Sequence, residues 1–224
     1  MPNILTVNDV RKNYGQKEVL KGVSLNIHRG EIYGLLGLNG AGKTTLLEII
    51  EHLRYSDSGF VNLQGTMGVQ LQFMNLPSTI KVKEALEMVC IWKHIKFEKE
   101  KFMPLISEDY MNMQYQKLSG GWKSRLHIAM AICGDPDLLI LDEPTTGLDI
   151  EGRYYLYDII KSYKTLGKSV LFSTHEVPTV EFLCDRIGVL YNGKISLEGE
   201  YNNIVKSSNL TLEEILMKMG GGLE

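Results

Sequence analysis

The residues with the clearest chemical potential are Gly37-Leu38-Asn39-Gly40-Ala41-Gly42-Lys43-Thr44: a glycine, four free positions, then Gly-Lys-Thr. That spacing is the pattern of a phosphate-binding loop. Its glycines let the chain turn so that backbone N–H groups converge on phosphate oxygens. Lys43 offers a cation to the β- and γ-phosphates, and the Thr44 hydroxyl can ligate Mg²⁺. A chance match in a chain of this length is on the order of one in a hundred. The flanks narrow it further. Residues 31–36 read as a buried strand, and Thr45 opens an apolar helix whose positive end would face the phosphates. Nucleotide binding is the expectation.

Further along, the apolar run Leu138–Leu141 ends in Asp142-Glu143. A carboxylate at such a strand end can hold Mg²⁺, and a second beside it can polarise a water for attack on a γ-phosphate. Acidic strand ends are common, so the phosphate loop is what gives this pair meaning. His175 follows another apolar run, 169–173, and if the two runs pair in parallel their ends face the same nucleotide. A histidine there can hydrogen-bond the γ-phosphate or the attacking water. The other four histidines read as packing or surface residues. Leu118-Ser119-Gly120-Gly121 is a second glycine loop opening a helix. It reads as a serine cap, and also as a second anion site. One carboxylate pair with two phosphate loops suggests a nucleotide shared between two subunits.

The elements that must position these groups follow from periodicity and turn residues. Strands are expected within 3–36, near 60–63 and at 67–72. A helix is expected from Val82 to about Ile95, and short helices with a solvated face over 96–117. Helices at 119–133, 150–166 and 211–219, and a hairpin over 186–197 around Asn192-Gly193, complete the reading. Hydrophobic residues make up 44% of the 224, enough for one full core. A net charge of −3 gives no basic footprint for nucleic acid, so no nucleic-acid partner is expected. Cys90, Cys133 and Cys184 lack metal spacing and read as reduced, packed thiols. Residues 1–7 lack the layout of a secretory signal, and no apolar run is long enough to span a bilayer. Any membrane role then requires a partner chain.

With these motifs in this order, the chain resembles the nucleotide-binding subunit of an ATP-binding-cassette (ABC) transporter, over residues 4 to about 197. Gly37–Thr44 matches the family's Walker A loop, Leu138–Glu143 its Walker B strand and Leu118–Gly121 its signature loop. Tyr14 falls where the family stacks an aromatic on adenine. Gln72 falls at the Q-loop glutamine, Pro144–Asp149 at the D-loop region and His175 at the switch histidine. The resemblance implies an α/β fold, a P-loop NTPase core with an antiparallel β subdomain and a short α-helical subdomain at about 73–133, all in one domain 1–224. It implies ATP and Mg²⁺ as cofactors. ATP would lie on Lys43, Thr44 and Thr45 of one subunit, covered by Ser119, Gly120 and Gly121 of a second in a head-to-tail homodimer or a heterodimer with a related subunit. Thr44, Gln72 and Asp142 would hold Mg²⁺. Glu143 would activate water, with Lys43, Gln72 and His175 assisting.

The implied function is ATP hydrolysis driving a separate membrane permease, at the cytoplasmic face of a bacterial membrane. Export of a drug, peptide or bacteriocin-like compound fits the look of the chain. The alternatives are an importer subunit and a binding or assembly module with low turnover. Two departures stand out. Trp122 replaces the glutamine that usually continues the signature, and its bulk is expected to slow dimer closure or stack near the ribose. The segments after Ser58 and from Phe73 to Lys117 are short. Phe73 and Met74 are expected to line a groove for a permease helix, and Trp92 to belong to the helical part's own core.

Overall fold

The computed structural model describes residues 2–70, 76–208 and 211–220, so Gln72, Phe73 and Met74 lie outside the described residues. The chain opens with two long strands, β1 (Asn3–Tyr14) and β2 (Lys17–His28), then the short β3 (Ile32–Leu36). β1 and β2 pair antiparallel, with Leu5 opposite Ile27 and Val10 opposite Val23. Helix α1 (Lys43–Ile50) is followed by β4 (Ser58–Leu63), which closes a three-stranded sheet in the order β2-β1-β4.

Next come β5 (Met67–Gln70), α2 (Val82–Trp92), α3 (Lys99–Phe102) and α4 (Gly120–Ile132). The remainder runs β6 (Leu138–Leu141), α5 (Ile150–Thr165), β7 (Ser169–Thr174), α6 (Val177–Leu183), β8 (Arg186–Tyr191), β9 (Lys194–Glu200), α7 (Tyr201–Ser208) and α8 (Leu212–Gly220). The second sheet has six strands in the order β5-β6-β7-β3-β8-β9. All its pairings are parallel except β8 with β9.

Alternation along the central strands sorts their side chains to two sides, as a two-residue period requires. Leu139, Leu141, Val170 and Phe172 pack with residues of α2, α4 and α5. Leu138, Ile140, Leu171, Tyr33 and Leu35 pack with α1 and with the first sheet. Every residue of β3, β6 and β7 is buried, which explains their near-continuous apolar sequences.

Three expectations need correction. Helix α2 stops at Trp92, three residues early, because His94 turns into the left-handed region at φ 56°. Trp92 is 76% exposed and so is not core. Residues 96–117 are short helical turns, yet Phe102, Leu105, Ile106 and Met111 are buried among them. That stretch supplies core as well as surface. Cys90 and Cys133 are free and buried with sulfurs 3.5 Å apart, and Cys184 is partly covered, in line with packed thiols.

Candidate nucleotide site

Parallel pairing decides the site's position. β3, β6 and β7 lie side by side and in one direction, so their C-terminal ends share one edge of the sheet. From β3 the chain passes into the glycine loop, from β6 into Asp142-Glu143, and from β7 into His175. Loop and helix meet at Gly42, whose φ of 107° is a conformation that side chains resist. Lys43 then begins α1.

Lys43 is only 6% exposed. Its ammonium donates to the carbonyl of Gly37 at 2.7 Å and lies 3.1 Å from Glu143 Oε1. The other Glu143 oxygen, Oε2, is 2.8 Å from His175 Nδ1. Lys43, Glu143 and His175 thus form one connected chain across three strand ends. Glu143 itself sits at φ 48°, a region that costs a non-glycine residue about 1 kcal/mol. The Ser173 hydroxyl holds it there, accepting from the Glu143 amide at 3.0 Å and donating to Asp142 Oδ1. The second Asp142 oxygen accepts from the Thr44 hydroxyl at 2.9 Å.

A cavity of about 400 Å³ opens over this cluster. Its walls include Asn39, Gly40, Gly42, Lys43, Thr44, Thr45, Glu143 and His175, all picked out from the sequence. Val19 and Thr146 join them unforeseen; a valine in a β2 pattern carries no signal of a binding role. Leu38 and Asn39 stand exposed at the loop tip, while Gly37 and Ala41 complete the loop. Tyr14 does not line the cavity. It lies exposed at the end of β1 with the Arg54 guanidinium 5.3 Å from its ring centre. Ser119, Gly120 and Gly121 lie outside the cavity as well, at the start of α4.

Glu51 was also missed. It is a buried carboxyl, pushed up to about 7 by burial and by the charges of Asp142 and Glu48. In sequence it looks like any polar residue ending an amphipathic helix. Glu176, next to His175, joins three segments. It accepts both guanidinium nitrogens of Arg153 at 2.9 Å and the Thr179 hydroxyl at 3.1 Å. Burial alone would raise its carboxyl, but Thr145, Thr179 and Arg153 outweigh that and hold it below the usual range.

Two hard oxygen donors, from Thr44 and the buried Asp142, face each other beside the cavity, and their chemistry suits Mg²⁺. A strand–glycine loop–helix with a lysine, a carboxylate pair and a histidine at adjacent strand ends defines a P-loop nucleotide-hydrolysing class. Comparison with known proteins makes the assignment specific. The family model described as ABC transporter matches residues 20–146. The chain is 36% identical over 217 residues to a Nod factor export ATP-binding protein I from Burkholderia orbicola, covering 89% of this chain and 71% of that protein. It is 32% identical over 226 residues to the lantibiotic transport ATP-binding protein SrtF of Streptococcus pyogenes, covering 96% and 99%. Among solved structures, an ATP-binding subunit of an ABC transporter superposes with a TM-score of 0.87 at 25% identity, over 97% of this chain and 100% of that one. A dimeric ATP-binding cassette bound to ADP and Pi superposes at 0.79, with 26% identity, over 88% and 98%. The chain belongs to the ABC transporter family, as an ATP-binding and ATP-hydrolysing subunit.

Proposed function

We propose that this subunit powers export through a separate membrane permease, and that it works as a pair of subunits with ATP between them. The observation that carries the hydrolytic part is the Lys43–Glu143–His175 chain over Asp142 and Thr44. When ATP enters, Lys43 exchanges its bond to Glu143 for the β- and γ-phosphates, and the loop amides cradle the same oxygens. The freed Glu143 accepts a proton from a water aligned on the γ-phosphorus. The water oxygen bonds to phosphorus as the bond to the β–γ bridging oxygen breaks, leaving ADP and phosphate. His175 holds the γ-phosphate and Lys43 offsets its growing charge. Thr44 and Asp142 would hold Mg²⁺, with Gln72 added by the family resemblance, and the ion would neutralise phosphate charge. Glu143 in this place favours turnover over a passive binding module.

Pairing is supported by Gly121. An added Cβ there meets nothing within 4 Å, and its φ is not positive, so this protomer alone does not require glycine. The close approach is then to something outside the chain, for which ATP on the second subunit's glycine loop is the natural candidate. Gly121→Ala should leave nucleotide affinity of the single subunit within about twofold, since the sites are distant. It should lower steady-state hydrolysis by about tenfold or more, as an added methyl in a packed contact does. Equal hydrolysis by the two proteins would remove this support.

An exposed apolar stripe supports the membrane partner. Met88, Ile91 and Trp92 recur at helical spacing on α2, Ile95 follows just past its end, and all four are exposed. A cytoplasmic helix of the permease would cover them. Among the described residues, no helix is long and apolar enough to cross a membrane. The subunit would therefore sit at the cytoplasmic face of a bacterial membrane through its partner, the whole of 1–224 acting as one domain with 73–133 as its helical part. The export direction, and a cargo akin to a Nod factor or a lantibiotic, follow the names of the relatives.

A further inference from the structure

Helix α4 begins with an unusual weakness. Its first two residues are Gly120 and Gly121, which have the lowest helix propensity apart from proline. Ser119 caps them only loosely, accepting from the Trp122 amide at 3.4 Å. Trp122 is therefore the first side chain in the helix able to anchor this end. Its indole is drawn back and packed partly buried against the core. The Tyr110 ring stacks on it with centres 3.6 Å apart and planes 19° from parallel.

The contacts continue on the helix. The Arg125 guanidinium lies 4.6 Å from the Trp122 ring centre and 3.5 Å from that of Tyr155, on α5. Arg125 thus contacts both rings. The far ends are fixed in turn. The Tyr155 hydroxyl donates to the Pro104 carbonyl at 2.6 Å. Tyr110 adjoins Met111, whose carbonyl accepts from Lys83 of α2 at 2.9 Å. The start of α4 is thus tied to α5 and to the segment before it by one run of rings and a cation, and that segment is tied to α2 by a backbone hydrogen bond.

We propose that Trp122 is a positioning residue. Through the run Tyr110–Trp122–Arg125–Tyr155 it holds Ser119 and Gly121 in the orientation that meets the second subunit's ATP. This rests on the paired-subunit reading above. Trp122 takes no part in this chain's own glycine loop, from which it is separated along the fold. Its effect falls on pairing and leaves nucleotide binding by the single subunit alone.

The test uses the full chain carrying Glu143→Gln, compared with the same protein also carrying Trp122→Ala, Trp122→Phe or Tyr110→Leu. Monomer affinity for a fluorescent ATP analogue should stay within about twofold in all four. ATP-dependent pairing, measured by sedimentation, should weaken about tenfold for Trp122→Ala and Tyr110→Leu, the scale of a lost stacking contact. Trp122→Phe, which keeps a ring on Tyr110, should recover most of it. Amide exchange at positions 122 and 123 in the ATP-free protein should speed up about tenfold in Trp122→Ala and Tyr110→Leu only. Undiminished pairing by Trp122→Ala, or a phenylalanine variant as weak as the alanine one, would overturn the proposal. If the parent itself does not pair with ATP, the paired-subunit reading fails; unchanged exchange rates would then still overturn the anchoring role, and faster exchange would uphold it.

Discussion

Glu143 is held by opposing demands. Its carboxylate is shared between Lys43 and His175, and its backbone is kept at a positive φ by the Ser173 hydroxyl. Replacing it by glutamine should leave ATP binding nearly intact while hydrolysis falls by about a hundredfold or more, the range lost with a general base. Ser173→Ala should act more mildly and in the same direction, lowering kcat with little change in KM, because it frees both Glu143 and Asp142. Steady-state kinetics separate the two effects. Glu51 makes a prediction of a different kind. Its carboxyl titrates near 7 in the fold against an ordinary 4.5, so the folded state binds the extra proton between those values. Stability is therefore present at low pH and lost as pH rises through that window. In chelator and without nucleotide, Glu51→Gln should match the parent in Tm at pH 4.5 and gain on it steadily to pH 8. A pH-independent difference would contradict the assignment. The glycine loop, Asp142, Glu143 and His175 were legible in the sequence because each belongs to a spaced pattern. Glu51 and Val19 were not, because burial by distant strands leaves no local mark.

At the scale of elements, β5 and α4 pack with no room for a side chain at Gly68. An added Cβ on Gly68 would stand 2.0 Å from the Ala131 carbonyl and 2.7 Å from Pro136. Both neighbours are backbone or rigid ring and cannot yield. Gly68→Ala should therefore cost at least about 2 kcal/mol by overpacking, or roughly 5 °C in Tm for a chain of this size. A melt within a degree of the parent would show that α4 can move off the sheet. Strands and long helices were readable here because alternation and 3.6-residue spacing were sustained, as in β1, β2, α4 and α5. Helices α6 and α7, at 177–183 and 201–208, escaped notice because each is too short to establish a period, and Pro178 reads as a break while here it opens α6. The segment 96–117 was read as solvated because its charges are frequent. Its few apolar residues, Phe102, Leu105, Ile106 and Met111, nevertheless point inward from irregular turns.

For the whole molecule, strand order decides function. β6, β7 and β3 are neighbours though far apart in sequence, and that adjacency alone brings Asp142, Glu143, His175 and Lys43 to one edge. The second glycine loop starts a helix and does not line that cavity, so on the proposed paired reading a single subunit would carry both halves of a site that only a second subunit closes. The exposed stripe on α2 lies on the helical part, apart from the strand ends that do chemistry. Charged substitutions at Ile91 and Trp92 should abolish recovery with cell membranes while nucleotide affinity persists; unchanged recovery would exclude that stripe as the docking face. On the proposed reading, ATP joins two subunits. Light scattering on Glu143→Gln, with and without saturating ATP, tests it most directly. The mass should double when ATP is added and return when it is removed. A monomer that binds ATP fully and keeps its mass would contradict the claim.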